Sequence, residues 1–256
     1  MGKWNIGIGA AVTGLRRLSR EPRKGRNVME GYIRGCGLQF GNVKELCQSD
    51  PVFQRAMGLA ERRTIVTSYK LMNLFMIIAF GLIKVERGHI FEFGSYKGGS
   101  AIFMAAVAQE YLPDTNVFAL DTFSGMPETD EAIDTVVPGD FDDVDADELI
   151  AYAATAGLSN LTFVPGRFEE TAPALLADAG SAALVHIDCD TYPAVSYAYE
   201  SCKPYMVPGG YIVLDDPQVA SCLGAMEAVE EHMIRADGLH AEQAFPHLVF
   251  RYPPLD

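Results

Sequence analysis

The chain has 256 residues, enough for one well-filled core with a modest extension, and its composition, 49% apolar and 21% charged, is that of a folded domain rather than a disordered chain. A net charge of −14 argues against nucleic acid as a partner, because phosphate contacts need a basic face. The longest apolar run, Leu74–Ile83, is too short to span a bilayer, so no membrane partner is expected either.

The first 26 residues hold seven Lys/Arg and one Glu. This basic segment reads as a partly ordered arm or as a contact for an acidic partner or subunit. Glycines among its apolar residues and the following Arg16-Arg17 do not fit a cleaved signal peptide. Residues 1–85 read as a helical N-terminal extension, serving as lid or oligomerisation element, so that a homo-oligomer is expected. Within it, Glu61–Val85 reads as a helix that starts amphipathic and becomes apolar throughout. The five cysteines are odd in number and lack CxxC spacing, which fits reduced thiols in a cytoplasmic protein. From residue 86 the pattern changes. His89–Phe93, Asn116–Leu120, Leu161–Val164, Ala183–Ile187 and Tyr211–Leu214 read as strands. Gly99–Tyr111, Asp147–Ala156, Ala194–Met206 and Cys222–Arg235 read as helices, and Gln243–Phe245 with Leu248–Tyr252 as a closing hairpin around Pro246. The alternation predicts an α/β domain over 86–256 built on a doubly wound, mostly parallel sheet.

The chemistry-bearing residues fall at the C-terminal ends of these strands, the edge where open α/β sheets bind ligands. The first strand runs into Glu92-Phe93-Gly94-Ser95-Tyr96-Lys97-Gly98-Gly99-Ser100. Its G-x-x-x-G-G spacing departs from the G-x-G-x-x-G of a dinucleotide site. It fits either a plain structural turn or close backbone approach to a cofactor without a diphosphate, with S-adenosylmethionine the candidate and Glu92 either meeting its ammonium group or holding the loop. Asp121 ends the second strand, 27 residues after Gly94. It is placed to bind a ribose, or to act as a turn or helix-cap aspartate. Thr122–Glu148 carries ten Asp/Glu and no Lys or Arg, and reads as an active-site lid or as a solvated acidic loop. After the third strand, Gly166-Arg167-Phe168 either flanks an adenine ring or starts a helix.

Two aspartate pairs close the series: Asp188 and Asp190 after the fourth strand, Asp215 and Asp216 after the fifth. Four carboxylates converging from neighbouring strands repel one another unless a positive group lies among them, and a hard cation such as Mg²⁺ or Ca²⁺ fits such a donor set. The carboxylate left over would then serve as base, with His186 as a rival whose place inside the strand favours a packed role. Cys189, between two of these aspartates, should point into the core.

The ordered motifs EFGSYKGGS, ALDTFSGMP, PGRFEETAP, HIDCDTYPA and PGGYIVLDDP with CLGAMEAVEEH, over about residues 86–236, resemble the macrocin O-methyltransferase (TylF-type) family. The resemblance implies a Rossmann-like class I methyltransferase fold with a seven-stranded sheet. It implies transfer of a methyl group from S-adenosylmethionine, with Mg²⁺, to a hydroxyl of a rhamnose-type deoxysugar, nucleotide-linked or on an aglycone, in antibiotic biosynthesis. By the same resemblance, Asp188, Asp215 and Asp216 are metal ligands and Asp190 is the general base, with Asp188 and Asp190 open to exchange of roles. Glu92, Gly94, Ser95, Tyr96, Ser100, Asp121, Thr122, Gly166, Arg167, Phe168 and Asp188 make the cofactor site. Methylation of a catechol, whose adjacent hydroxyls chelate Mg²⁺ in the same way, also fits the residues; fold alone permits a non-catalytic cofactor-binding assembly protein as well, and the four aspartates argue against it.

Overall fold

The structure, a computed structural model, describes residues 43–127, 129–130 and 132–254. The basic arm, Cys36 and the helical reading of residues 1–42 lie outside the described residues. The chain divides into two compact units, Met1–Asp50 and Pro51–Asp256. Of the first unit the described part is one helix, α1 (Val43–Ser49), capped at its C-terminus by a Ser49 hydroxyl to Leu46 carbonyl hydrogen bond.

The second unit opens with α2 (Pro51–Ala60) and α3 (Ser68–Met76), which continues into a π-turn (Ile77–Gly81) and a 3₁₀ turn (Leu82–Lys84). The single helix expected over Glu61–Val85 is therefore corrected: residues 61–67 are a loop, turned at Arg62 with φ 65°. Thr64-Ile65-Val66-Thr67, four β-branched residues in a row, disfavour helix, and tertiary contacts fix the loop. The Arg63 guanidinium lies 3.8 Å above the Tyr152 ring and pairs with both oxygens of Glu148, while its carbonyl accepts from Gly99 N–H.

Strands and helices then alternate: β1 (His89–Phe93), α4 (Gly99–Tyr111), β2 (Val117–Asp121), α5 (Ala146–Thr155), β3 (Leu161–Pro165), α6 (Phe168–Ala179), β4 (Ala182–Ile187), α7 (Tyr192–Cys202), β5 (Met206–Leu214), α8 (Leu223–Ala228) and β6 (Leu248–Tyr252). The sheet order is β3-β2-β1-β4-β5-β6, parallel except for β6. The order reverses direction between β1 and β4, which puts a crevice beside their C-terminal ends. All six residues of β4 are buried, as expected of a central parallel strand covered on both faces. Phe91, Phe93, Val185, Ile187, Ile212 and Leu214 share one core with residues of α6, α7 and α8. On the other side α4, buried on nearly every position, packs with α2 through Phe53 and Phe103, rings 5.6 Å apart.

The described sheet has six strands rather than seven. Gln243 makes only an isolated bridge to Val249, so the first arm of the expected hairpin is not a strand. Pro246 has no N–H to extend the ladder, and the Gln243 side-chain amide bonds Asn73 and the Phe245 carbonyl.

Candidate active site

The loop after β1 is held from beneath by carboxylates. Asp121 Oδ2 accepts the backbone N–H groups of Ser95 and Tyr96, each at 2.8 Å, and Oδ1 accepts Phe123 N–H at 2.7 Å and the Thr122 hydroxyl at 3.5 Å. Asp121 thus fills the turn role. A ribose would have to share Oδ1 with Thr122. The two loop N–H groups that a diphosphate would need are already taken. Glu92 is fully buried and does not line the cavity described below: it accepts the Ser95 hydroxyl at 2.8 Å and pairs with His186 Nδ1 at 2.9 Å. Of its two readings the structure shows the one in which it holds the loop. Gly94, at φ 86°, has no alternative, since a Cβ there would lie 1.8 Å from the Asp188 carbonyl oxygen.

Above this loop lies a cavity of about 290 Å³. Gly94, Ser95, Tyr96 and Ser100 of the loop, Asp121 and Thr122 after β2, Arg167 and Phe168 after β3, and Asp188 and Asp190 after β4 all face it. Phe168 is fixed edge-on against Phe93, ring centroids 5.1 Å apart, and Arg167 lies 3.9 Å from Glu169. Gly166 does not reach the cavity; its N–H bonds the Asp121 carbonyl and sets the turn that presents Arg167 and Phe168. Two further walls line the cavity, of which the second comes from the segment expected as an active-site lid. One is Arg63-Thr64-Ile65-Val66, from the loop mistaken for helix. The other is Met126, Pro127 and Phe141 of the acidic segment. That segment is latched over the loop by Tyr96, whose ring meets Phe141 at 5.2 Å and whose hydroxyl donates to Asp143 at 2.6 Å, and by the Lys97–Asp143 pair. It is a lid in position, and a carboxyl within it, Asp145, caps α5.

At one end of the cavity the aspartates converge. Oxygens of Asp188, Asp215 and Asp216 lie within 4.8 Å of one another. Asp190 joins the cluster through Asp216: ligand atoms of Asp190, Asp216 and Cys222 also lie within 4.8 Å of one another, its N–H donates to Asp216 Oδ2 at 2.9 Å, and its Oδ1 accepts the Cys222 thiol at 3.2 Å. Burial, then repulsion from the other carboxylates, holds Asp188 and Asp216 well above the ordinary carboxylate range. Burial also raises Asp190, opposed by the Cys222 hydrogen bond. Asp215 is the exception. Burial alone would raise it, but the His247 hydrogen bond and the Lys70 ammonium outweigh that and depress it. Lys70 of α3 donates to Asp215 Oδ2 and, at 2.9 Å, to the Asp215 carbonyl oxygen. Nothing in the sequence pattern singled this lysine out. His247, buried and held neutral with a pKa lowered to about 4 by burial, donates from Nε2 to Asp215 Oδ1 at 3.1 Å. Cys189 points into the core, as expected. Three carboxylates, two of them with uncompensated charge, are a donor set for a hard divalent cation.

Residues 60–242 match the family described as Macrocin-O-methyltransferase (TylF). A relative from Streptomyces olivaceus, 8-demethyl-8-(2,3-dimethoxy-alpha-L-rhamnosyl)-tetracenomycin-C 4'-O-methyltransferase, is 31% identical over 64% of this chain and 66% of its own length. Mycinamicin III 3''-O-methyltransferase of Micromonospora griseorubida is 28% identical over 67% of this chain and 70% of its own. The chain thus spans about two thirds of the length of these curated relatives. Among solved structures, the calicheamicin methyltransferase CalS11 superposes with a TM-score of 0.64 at 20% identity, covering 94% of this chain and 97% of that one. The O-methyltransferase NovP gives 0.59 at 19%, covering 85% and 97%. Both show the same fold.

Proposed function

The chain belongs to the macrocin-O-methyltransferase family of S-adenosylmethionine-dependent O-methyltransferases, and from that premise we propose that it methylates a hydroxyl of a rhamnose-type deoxysugar in secondary-metabolite biosynthesis, with a divalent cation at the strand edge. The observation that carries this reading is the junction of the cavity with the carboxylate cluster: Asp188 and Asp190 face the one and belong to the other. The activities of the Streptomyces and Micromonospora relatives support a sugar acceptor.

Bound S-adenosylmethionine supplies an activated methyl group, and a bound divalent cation, Mg²⁺ being the candidate, supplies Lewis acidity toward the acceptor oxygens. Asp188, Asp215 and Asp216 would hold the cation. Ser95, Tyr96, Ser100 and Phe168 would line the cofactor, with Gly94 allowing close approach and Asp121 and Thr122 fixing the loop. Arg167 would flank its far end. Asp190 is assigned as general base. Its Oδ1 is anchored by Cys222, so Oδ2 is the atom assigned to take the acceptor proton. Its raised pKa makes it a stronger proton acceptor than an exposed carboxylate. The lid excludes water, and positioning of the two reactants accounts for much of the acceleration.

The helical residues before β1 also provide, in this reading, a self-association surface; Phe80 and Ile83 are exposed there, and light scattering at a single monomer mass would refute it. Among the described residues no helix is long and apolar enough to cross a membrane. The four described cysteines are free, and we keep the cytoplasm as the location they fit.

The acceptor class is tested by competition. Labelled S-adenosylmethionine is offered with an equimolar rhamnose-type sugar and catechol. Label in the sugar is expected; preferential label in the catechol would transfer the enzyme to the catechol-methylating class, and label in neither would remove the acceptor assignment.

A further inference from the structure

Lys70 sits where the cluster needs a positive charge. Its side chain is 15% exposed and its ammonium is bonded to both the carboxylate and the carbonyl oxygen of Asp215. The other carboxylate oxygen of Asp215 is taken by His247. Every oxygen of Asp215 is therefore engaged by a donor of the protein, whereas among the described residues no cation pairs directly with Asp188 or Asp216, and Lys70 reaches Asp216 only through space. A carboxylate oxygen that accepts one hydrogen bond can still ligate a cation through its other lone pair, so the His247 contact can persist; the Lys70 ammonium, by contrast, sets a like charge against the oxygen a cation would take. His247 is fully buried, and its second ring nitrogen is bonded to Asn73, so it is fixed at both ends. Lys70 is carried on a flexible four-carbon stem, three residues after Thr67 at the N-cap position of α3 and shortly after the cavity wall Thr64–Val66 in the chain.

We infer that Lys70 is a tethered counter-ion that competes with the divalent cation for Asp215. This inference rests on the reading of Asp188, Asp215 and Asp216 as a cation site. In the metal-free protein the ammonium offsets part of the cluster's negative charge and keeps Asp215 ionised and in place. An arriving dication meets a like charge on the oxygen it needs, and Lys70 Nζ swings off Oδ2. The consequence is a site that stays ordered without metal and binds it weakly and reversibly. Lys70 is a positioning residue for the cluster.

The test is Mn²⁺ affinity, measured by calorimetry without cofactor or acceptor, for the full chain, for Lys70→Met and for Lys203→Met. Lys203 pairs with Glu200 and Asp237, away from the cluster, and controls for loss of one positive charge. Lys70→Met is expected to bind Mn²⁺ at least about tenfold more tightly than the unaltered chain, as removal of a like charge within a few ångströms should produce, with Lys203→Met unchanged. Equal or weaker binding by a folded Lys70→Met overturns the competition alone. No Mn²⁺ binding by any of the three overturns the cation site, and the competition with it. If Lys70→Met does not fold, the unaltered chain still decides. Amine labelling mapped by mass spectrometry should modify Lys70 faster with Mn²⁺ than without, and an unchanged or slower rate overturns the inference.

Discussion

Asp190 sits at φ 60°, in the left-handed region that non-glycine residues seldom occupy, and three contacts explain why it stays there. Its N–H is fixed by Asp216, its Oδ1 by Cys222, and Thr191 N–H bonds the Cys189 carbonyl to close the turn. The same turn commits Asp190 Oδ1 to the Cys222 thiol while Asp190 stays beside Asp216, and that thiol contact is the basis for assigning it as base rather than ligand. The raised carboxylates also fix a pH dependence. A carboxylate held above its unfolded value of ~3.9 binds more protons folded than unfolded, so stability falls as pH rises from there through the folded value. Asp188 and Asp216 act in that direction in the metal-free protein. His247, lowered to about 4, acts oppositely below its unfolded value of ~6.5, so the comparison belongs above that. The rise in melting temperature on adding Mg²⁺ should grow as pH increases through the folded values of Asp188 and Asp216. Calorimetric scans across a pH series would show it, and a rise that shrinks with increasing pH throughout would contradict it.

At the scale of elements, the strand ends were legible in the sequence and the loop before α3 was not. Glycines and acids at strand-to-helix turns announce themselves because few other positions need those residue types, which is how Gly94, Asp121 and the aspartate pairs could be read. Arg63–Val66 carries no such mark. Thr64, Ile65 and Val66 are β-branched and poor helix formers, a weaker mark that the helical stretch around them hides, and the remote Glu148, Tyr152 and Gly99 hold Arg63 out of helix. Lys70 was illegible for a related reason: a lysine on an amphipathic helix ordinarily means a solvated face, and its partner is 145 residues away. Glu92 was legible as important but not as buried, since its partner His186 comes from the neighbouring strand in register with it. The loop's dependence on its neighbours can be measured. A Cβ at Gly99 would lie 2.5 Å from the Arg63 carbonyl carbon and oxygen, both backbone atoms. Gly99→Ala should cost about 1–3 kcal/mol in denaturant unfolding and weaken S-adenosylhomocysteine binding by displacing Thr64–Val66. Unaltered affinity would mean that this wall does not contact the cofactor. The lid makes a separate prediction. Asp143→Ala removes both the Tyr96 and the Lys97 contacts from an exposed position. It should raise KM several-fold with little change in the unfolding midpoint; an unchanged KM would show that the latch plays no part in closure.

Over the whole molecule, the sheet order places the switch point between β1 and β4, and that one topological fact brings glycine loop, lid and aspartates to a single edge. The alternation of strands and helices was enough to foresee that edge. The final count of strands was not foreseeable from alternation: the Gln243 backbone pairs with Val249, and Pro246, lacking an N–H, does not extend that bridge into a strand. An acidic body with an aspartate cluster beside a cavity of about 290 Å³ fits a small acceptor better than a macromolecular one. The central claim is that the aspartates divide into a cation-holding trio and a base. It is tested most directly by the initial rate of methyl transfer to a rhamnose-type acceptor, measured with EDTA, after Mg²⁺ is restored, and in Asp190→Asn at saturating Mg²⁺. The rate should vanish with EDTA, return with Mg²⁺, and fall by at least about 100-fold in Asp190→Asn while S-adenosylhomocysteine binding is retained. Transfer that survives EDTA, or an Asp190→Asn enzyme as fast as the unaltered one, would contradict it.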